Sequence, residues 1–240
     1  MAAEAIALKV EGLSASYGVV PALTDVTLEI RAGQIITVIG ANGAGKSTLI
    51  KTICGLVRPS AGSVRLFGED VSGLSPDKLV RKGLCVVPES RRLFTDMTLL
   101  ENLELGAYAR RDSKAVQQDI ERVLDLFPEF RDRLSTIAGT FSGGQQQMIA
   151  VARAMMSAPK VLMLDEPTIG LAPAVVQRIA DLVTTIARTG VNVLLVEQNA
   201  EVALAVAEFA YILENGSIVA EGNAGLLAKS PEIQRAYLGI

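Results

Sequence analysis

The chain has 240 residues and no histidine. The side chain whose charge changes most readily near neutral pH is absent, so any acid–base step has to fall to another group. Positive charge is not in excess either. Lys and Arg number 23 against 26 Asp and Glu, a net charge of −3, which argues against nucleic acid as the main partner. No run of about 20 apolar residues occurs, despite a mean hydropathy of +0.36, so no bilayer-spanning helix is expected. The amino-terminal "MAAEAIALKVEG" carries an acid early and lacks the basic-then-apolar order of a signal peptide. Cysteine is scarce. Cys54 and Cys85 lie in separate apolar segments without metal-type spacing and read as buried thiols in a reducing cytoplasm. There is no internal repeat and no low-complexity tract. Half the residues are hydrophobic, enough for one large domain, or a core domain with a subdomain, and too many for a disordered chain.

Short apolar runs alternate with helical patterns. "TDVTLEI" (Thr24–Ile30) alternates as a half-buried antiparallel strand does, while "IITVIG", "LCVVP", "VLMLDEP" and "VNVLLVEQ" read as strands buried on both faces. "AYILENGSIVAEG" reads as a closing hairpin with Asn215-Gly216 as its turn. Helices are expected over Lys46–Cys54, Pro173–Arg188 and Ala200–Ala207. Strand alternating with helix implies a parallel sheet. From about Thr98 to Ser157 strand signals stop and helical spacing takes over, which places a helical insertion in an α/β core.

Three polar stretches punctuate this pattern. In "GANGAGKS" the glycines let the backbone curl so that its N–H groups point at phosphate oxygens, and the following helix adds its N-terminal dipole. Lys46 can reach the β- and γ-phosphates, and the Ser47 hydroxyl can coordinate magnesium. In "VLMLDEPT" four apolar residues lead to Asp165 and Glu166 at a strand tip. Asp165 is suited to the magnesium shell, and Glu166 to orienting or deprotonating an attacking water. In "TFSGGQQQM" Ser142 and Gln145 form a potential capping box, and the glycine pair at a helix start is also an anion site. A second anion site beside a complete cradle suggests that another molecule's nucleotide binds there.

"GANGAGKS", "FSGGQ", "VLMLDEPT" and the helical insertion between cradle and acid pair, taken together, resemble the nucleotide-binding subunit of ABC transporters over essentially the whole chain. The resemblance implies an α/β P-loop NTPase core with a mixed sheet, antiparallel strands at the N-terminus and a parallel core. It assigns 1–96 and 158–240 to that core and about 97–157 to a helical subdomain. It implies ATP with Mg2+, and a head-to-tail dimer with a paralogous subunit or with itself. Each ATP is then held by Gly40, Ala41, Asn42, Gly43, Ala44, Gly45, Lys46, Ser47 and Thr48 of one subunit. Ser142, Gly143, Gly144 and Gln145, or their equivalents, come from the other. Tyr17 matches the aromatic that stacks on adenine, or simply ends a strand. Two membrane permeases, an extracytoplasmic substrate-binding protein and a peripheral place on the cytoplasmic face of the membrane are implied as well.

Three positions depart from the family pattern. Glu89 stands where the magnesium-contacting loop normally has glutamine, Ala172 replaces an aspartate, and Gln198 replaces the switch histidine. With "FSGGQQQM" and the C-terminal "AYLG", these departures look like the shorter of the two ATPases of branched-chain amino-acid importers. Glu89 can ligate magnesium through a harder oxygen, at the cost of repulsion from the γ-phosphate. Arg91 and Arg92 offer to offset that repulsion, to contact membrane subunits, or to be solvated surface charges. Gln198 can donate to the γ-phosphate but cannot titrate. Glu197 and Asn199 have no assigned role, though either can cap the next helix. Importers of urea or other amides use similar ATPases. Soluble ABC ATPases of DNA repair or translation carry two such domains or a long coiled coil, which 240 residues do not accommodate. A small-molecule kinase shares the cradle without needing "SGGQ".

Overall fold

Each central strand serves two cores at once, because successive side chains point to opposite faces. In the computed structural model, which describes residues 5–238, the chain runs β1 (Ile6–Tyr17), β2 (Val20–Arg31), β3 (Ile35–Ile39), α1 (Lys46–Ile53), β4 (Ala61–Leu66), β5 (Glu69–Asp70), α2 (Pro76–Lys82) and β6 (Leu84–Val87). It continues through α3 (Leu99–Gly106), α4 (Ser113–Leu126), α5 (Gly143–Met155), β7 (Val161–Asp165), α6 (Pro173–Arg188), β8 (Asn192–Glu197) and α7 (Ala200–Val206). The hairpin β9 (Phe209–Glu214) and β10 (Ser217–Asn223), then α8 (Ala224–Leu227), α9 (Pro231–Ile233) and a π-helical turn Gln234–Leu238, complete it. Residues 1–4 of the stretch tested for a signal peptide, and Gly239 of "AYLG", lie outside the described residues.

The larger sheet has the order β10-β9-β3-β8-β7-β6, parallel except for β10. On β8, Val193 and Leu195 pack into one core while Leu194 and Val196 pack into the other; Leu162/Leu164 and Val161/Met163 of β7 divide the same way. One core continues into the helical segment between β6 and β7, where Phe127 stacks on Phe130 and Phe130 meets Phe141 edge to face. The other lies under the smaller antiparallel sheet, order β2-β1-β4-β5, with α1 between the layers. The buried strands and the hairpin thus stand where the sequence pattern puts them. Asn215 and Gly216, at φ 47° and 82°, make the turn in the left-handed region. The helix expected over Lys46–Cys54 ends at Ile53, with Cys54 as its cap.

The cysteines need one correction. Cys54 is buried, and desolvation pushes its thiol up to about 12, so it is inert at neutral pH. Cys85 is partly exposed, not buried, because it floors a groove beside Phe94 and Arg153. None of the described helices is long and apolar enough to cross a membrane.

Candidate functional site

The register of the large sheet brings four polar tips to one edge. Ile39 pairs with Glu197, Val196 with Asp165, and Leu164 with Val87, so Gly40, Gln198, Glu166 and Pro88 follow side by side. Open α/β sheets bind ligands at this carboxyl edge. Between β3 and α1 the chain curls through the glycine-rich loop. Gly45, the N-cap of α1, has φ 109°, and a Cβ there would stand 2.8 Å from the Ala22 carbonyl oxygen, so glycine is required twice over. A Cβ on Gly40 would meet the Leu213 carbonyl oxygen at 2.5 Å. No side chain caps α1, which leaves its first-turn N–H groups for an anion. The hairpin holds the loop from behind: Gly216 N–H donates to the Ala44 carbonyl at 2.8 Å. In front lies a cleft of about 710 Å³, lined by Asn42, Gly43, Gly45, Lys46, Ser47 and Thr48 with Glu89 and Glu166.

Lys46 spans this cleft. Its Nζ donates to the carbonyls of Gly40 and Ala41 at 2.7 and 3.0 Å and lies 3.0 Å from Glu166 Oε1. Both side chains are buried, 3% and 8% exposed, and such a pair is strongly coupled to the fold around it. Glu166 itself has φ 46°, a left-handed conformation uncommon outside glycine, held by its N–H donating to the Val196 carbonyl at 2.8 Å.

Asp165 is in the opposite state. Its Oδ1 is buried with no hydrogen-bond partner. Burial raises its pKa to about 6, with the neighbouring charges of Glu166 and Glu89 adding to the shift and Lys51 and Lys46 opposing it. A buried anionic oxygen lacking a donor is what a cation satisfies. Among the described residues no three acidic, histidine or cysteine side chains converge as a cage. Magnesium typically takes one or two carboxylates and completes its octahedron with phosphate oxygens, so a hydroxyl at Ser47 and a carboxylate at Asp165 fit it.

Glu89 reaches the cleft from the loop after β6, which is strained: Arg91 and Arg92 both have positive φ, 59° and 48°. Arg153 of α5 holds their carbonyls, with Nη1 donating to Arg92 O at 2.7 Å and Nη2 to Arg91 O at 3.0 Å. The Arg91 guanidinium packs against Gly143, and Arg92 lines the groove with Phe94, so neither lines the cleft beside Glu89. At the start of α5, Gln145 N–H donates to Ser142 Oγ and Ser142 N–H to Gln145 Oε1, completing the capping box. Gly144 is needed for close packing, since a Cβ would stand 2.6 Å from Val175 Cγ1 of α6.

Ser142–Gln145 do not line the cleft of their own chain, and neither does Tyr17, which ends β1 half exposed. Gln198 is exposed and lines an adjoining cavity that shares Glu166 with the cleft. Asn199 caps α7 by accepting from Val202 N–H at 3.2 Å. Glu197 is buried and bonded to Thr168, and Arg153 clamps the strained loop; sequence reading singled out neither role. For Glu197 a signal existed, in that it directly follows the apolar run Val193–Val196.

This arrangement of phosphate loop, acid pair at the neighbouring strand tip and capped glycine turn on a helical insertion is that of an ATP-binding cassette. Residues 23–169 match the family model described as ABC transporter, and the chain belongs to that family as one of its ATP-hydrolysing members. It is 48% identical over 233 residues to the high-affinity branched-chain amino acid transport ATP-binding protein BraG of Pseudomonas aeruginosa, covering 97% of this chain and 99% of that one. To BraF of the same organism, which carries the same description, identity is 31% over 97% of each chain. Among solved structures, the ADP conformation of MJ1267, an ATP-binding cassette of an ABC transporter, superposes with a TM-score of 0.88 at 26% identity, over 98% of this chain and 99% of that one. The dimeric structure of MJ0796, a bacterial ABC transporter cassette, gives 0.80 at 25% identity, over 90% and 98%.

Proposed function

We propose that this chain is the subunit whose ATP hydrolysis powers import of branched-chain amino acids. In this reading it works at the cytoplasmic face of the membrane with two permease subunits and an extracytoplasmic binding protein. The observation that carries the ATPase site is the meeting of the Gly40–Thr48 loop, Glu166 and the unpartnered Asp165 oxygen at one sheet edge. The substrate rests on the likeness to BraG, which exceeds that to BraF and favours the shorter of two paralogous ATPases.

In the proposed cycle the N–H groups of the loop and of α1 hold the phosphates, and Lys46 leaves Glu166 for the β- and γ-phosphates. Ser47, Asp165 and Glu89 hold Mg2+, which neutralises phosphate charge. Freed of Lys46, Glu166 orients or deprotonates the attacking water, and Gln198 donates to the γ-phosphate. Ser142, Gly143, Gly144 and Gln145, which do not reach the cleft of their own chain, act on the nucleotide of a second subunit in a head-to-tail dimer. Tyr17 stacks on adenine from the rim. Residues 1–96 and 158–240 act as the core and about 97–157 as a helical unit joined to it by the Glu89 loop.

Reconstitution with candidate permease subunits and a substrate-binding protein tests the reading. Uptake of leucine, isoleucine or valine into vesicles loaded with ATP is expected, and its loss in Glu166→Gln. Uptake of urea without leucine would reassign the substrate and keep the ATPase.

A further inference from the structure

Glu197 sits where two loops of the catalytic edge meet. It is the last residue of β8, directly before Gln198, and it is 2% exposed. Its Oε1 accepts from Thr168 Oγ1 at 2.6 Å and from Thr168 N–H at 3.1 Å, and its Oε2 accepts from Asn199 N–H at 3.4 Å. Thr168 opens the loop that follows Glu166, and Asn199 follows Gln198. One carboxylate therefore joins the segment after the candidate base to the segment carrying Gln198. All three partners are donors, so the ionised form is the one the site satisfies. Burial raises its pKa, and the bonds from Thr168 and Asn199 oppose that rise.

We propose that Glu197 is a positioning residue for hydrolysis, fixing Gln198 and the Thr168–Leu171 loop in one relation to Glu166. The role needs a side chain with two acceptor oxygens, because each oxygen serves a different loop. Glutamine offers one acceptor and turns a donor toward another donor. Alanine releases both loops and leaves the Thr168 hydroxyl unpaired. The phosphate loop makes none of these contacts, so ATP binding is independent of Glu197 while turnover depends on it. The inference rests on the reading of Glu166 and Gln198 as groups that serve ATP turnover.

The experiment is steady-state ATP hydrolysis with Mg2+ by the purified full chain. The parent is compared with Glu197→Gln, Glu197→Ala, Thr168→Val and the Glu197→Ala/Thr168→Val double variant, each also followed by thermal unfolding and by binding of a fluorescent ATP analogue. The expected result is a kcat about tenfold or more lower in Glu197→Ala, with KM and analogue binding within about twofold of the parent. Glu197→Gln should fall between. The double variant should be no slower than Glu197→Ala, because both substitutions cut one contact and their effects then do not add. Parental kcat in Glu197→Ala overturns the proposal, as does a loss of analogue binding that tracks a loss of stability, or effects that multiply. Should Glu197→Ala not fold, Glu197→Gln decides, and parental kcat there overturns it equally. Absence of hydrolysis by the parent would instead overturn the ATPase reading.

Discussion

Two neighbouring strand tips, hydrogen-bonded along their length, end in the same kind of polar pair and resolve it oppositely. At the end of β7, Asp165 has a buried oxygen without a partner, and Glu166, in a left-handed conformation, is ion-paired to a lysine that the phosphate loop also bonds. At the end of β8, Glu197 is satisfied by three donors and Gln198 stands exposed. The first tip is electrostatically incomplete and the second complete. An incomplete buried anion persists only where something outside the chain completes it. The unmet charge therefore lies at the β7 tip, while at the β8 tip Glu197 is satisfied within the chain and only the exposed Gln198 is free to meet a ligand.

Breaking the β7 tip outright gives the largest effect. Lys46→Ala leaves Glu166 buried beside Asp165 without its ion-pair partner. Removing one partner of a buried pair costs about 3–5 kcal/mol. Denaturant unfolding of the nucleotide-free variant should show that loss, together with loss of ATP binding. Stability unchanged would mean that the pair holds nothing. Glu166→Gln keeps a side chain of the same size and spares the loop, so ATP binding should persist while turnover falls about 10²–10³-fold, on the order of 3–4 kcal/mol in the barrier. An ATP-dependent dimer on gel filtration is the companion expectation, and full-rate hydrolysis would remove Glu166 as the base.

Asp165→Asn sharpens the comparison by reversing the usual sign of a site mutation. The carboxyl titrates near 6 in the folded chain against an ordinary 3.8. Between those values the folded state holds a proton that the unfolded state has lost, so stability falls as pH rises through the window and the full penalty is present above it. At about 1.4 kcal/mol per pKa unit, the neutral amide should stabilise the nucleotide-free chain by on the order of 1–3 kcal/mol at pH 7.5 and by almost nothing below about pH 3, under the unfolded value. Magnesium-dependent turnover should be lost at the same time. A variant no more stable than the parent at pH 7.5 would show that the oxygen carries no penalty. The corresponding change at the satisfied tip, Glu197→Gln, should not stabilise.

The two tips also differ in how far the sequence discloses them. β3, β7 and β8 are legible because both faces are buried and the run is mostly apolar, and Asn215-Gly216 and Ser142/Gln145 carry local turn and cap chemistry. The glycine-rich loop is legible because its backbone geometry is written in residue types. The long first strand Ile6–Tyr17 is not, since register shifts interrupt its alternation. Strand β5 has two residues, too few to carry a period, and β4 opens on Ala61-Gly62-Ser63, which reads as a turn. The bond between Glu197 and Thr168 is not legible because the two lie 29 positions apart, and neither is the Lys46–Glu166 ion pair, because nothing local says that Lys46 lies over that acid. Such pairings are set by which strands become neighbours, and periodicity does not encode that.

Gln198 gives the smallest effect and the finest test. Being exposed, it contributes little to stability, so Gln198→Ala should unfold within about 0.5 kcal/mol of the parent. If its amide donates to the γ-phosphate, kcat should fall about tenfold, the worth of one hydrogen bond to a charged group, with ATP binding nearly unchanged. Unchanged turnover would end the proposed role. The absence of histidine allows a sharper version. Gln198→His introduces the chain's single imidazole, so any new titration near neutrality belongs to that position. The protonated ring is a cation, and beside a phosphate it binds better than the neutral ring. The ratio of variant to parent kcat should therefore rise as pH falls through about 6.5, the ordinary histidine value, or somewhat higher because the phosphate favours the charged form. A ratio constant from pH 6 to 8 would place the side chain out of reach of the phosphate and leave the β8 tip with geometry alone.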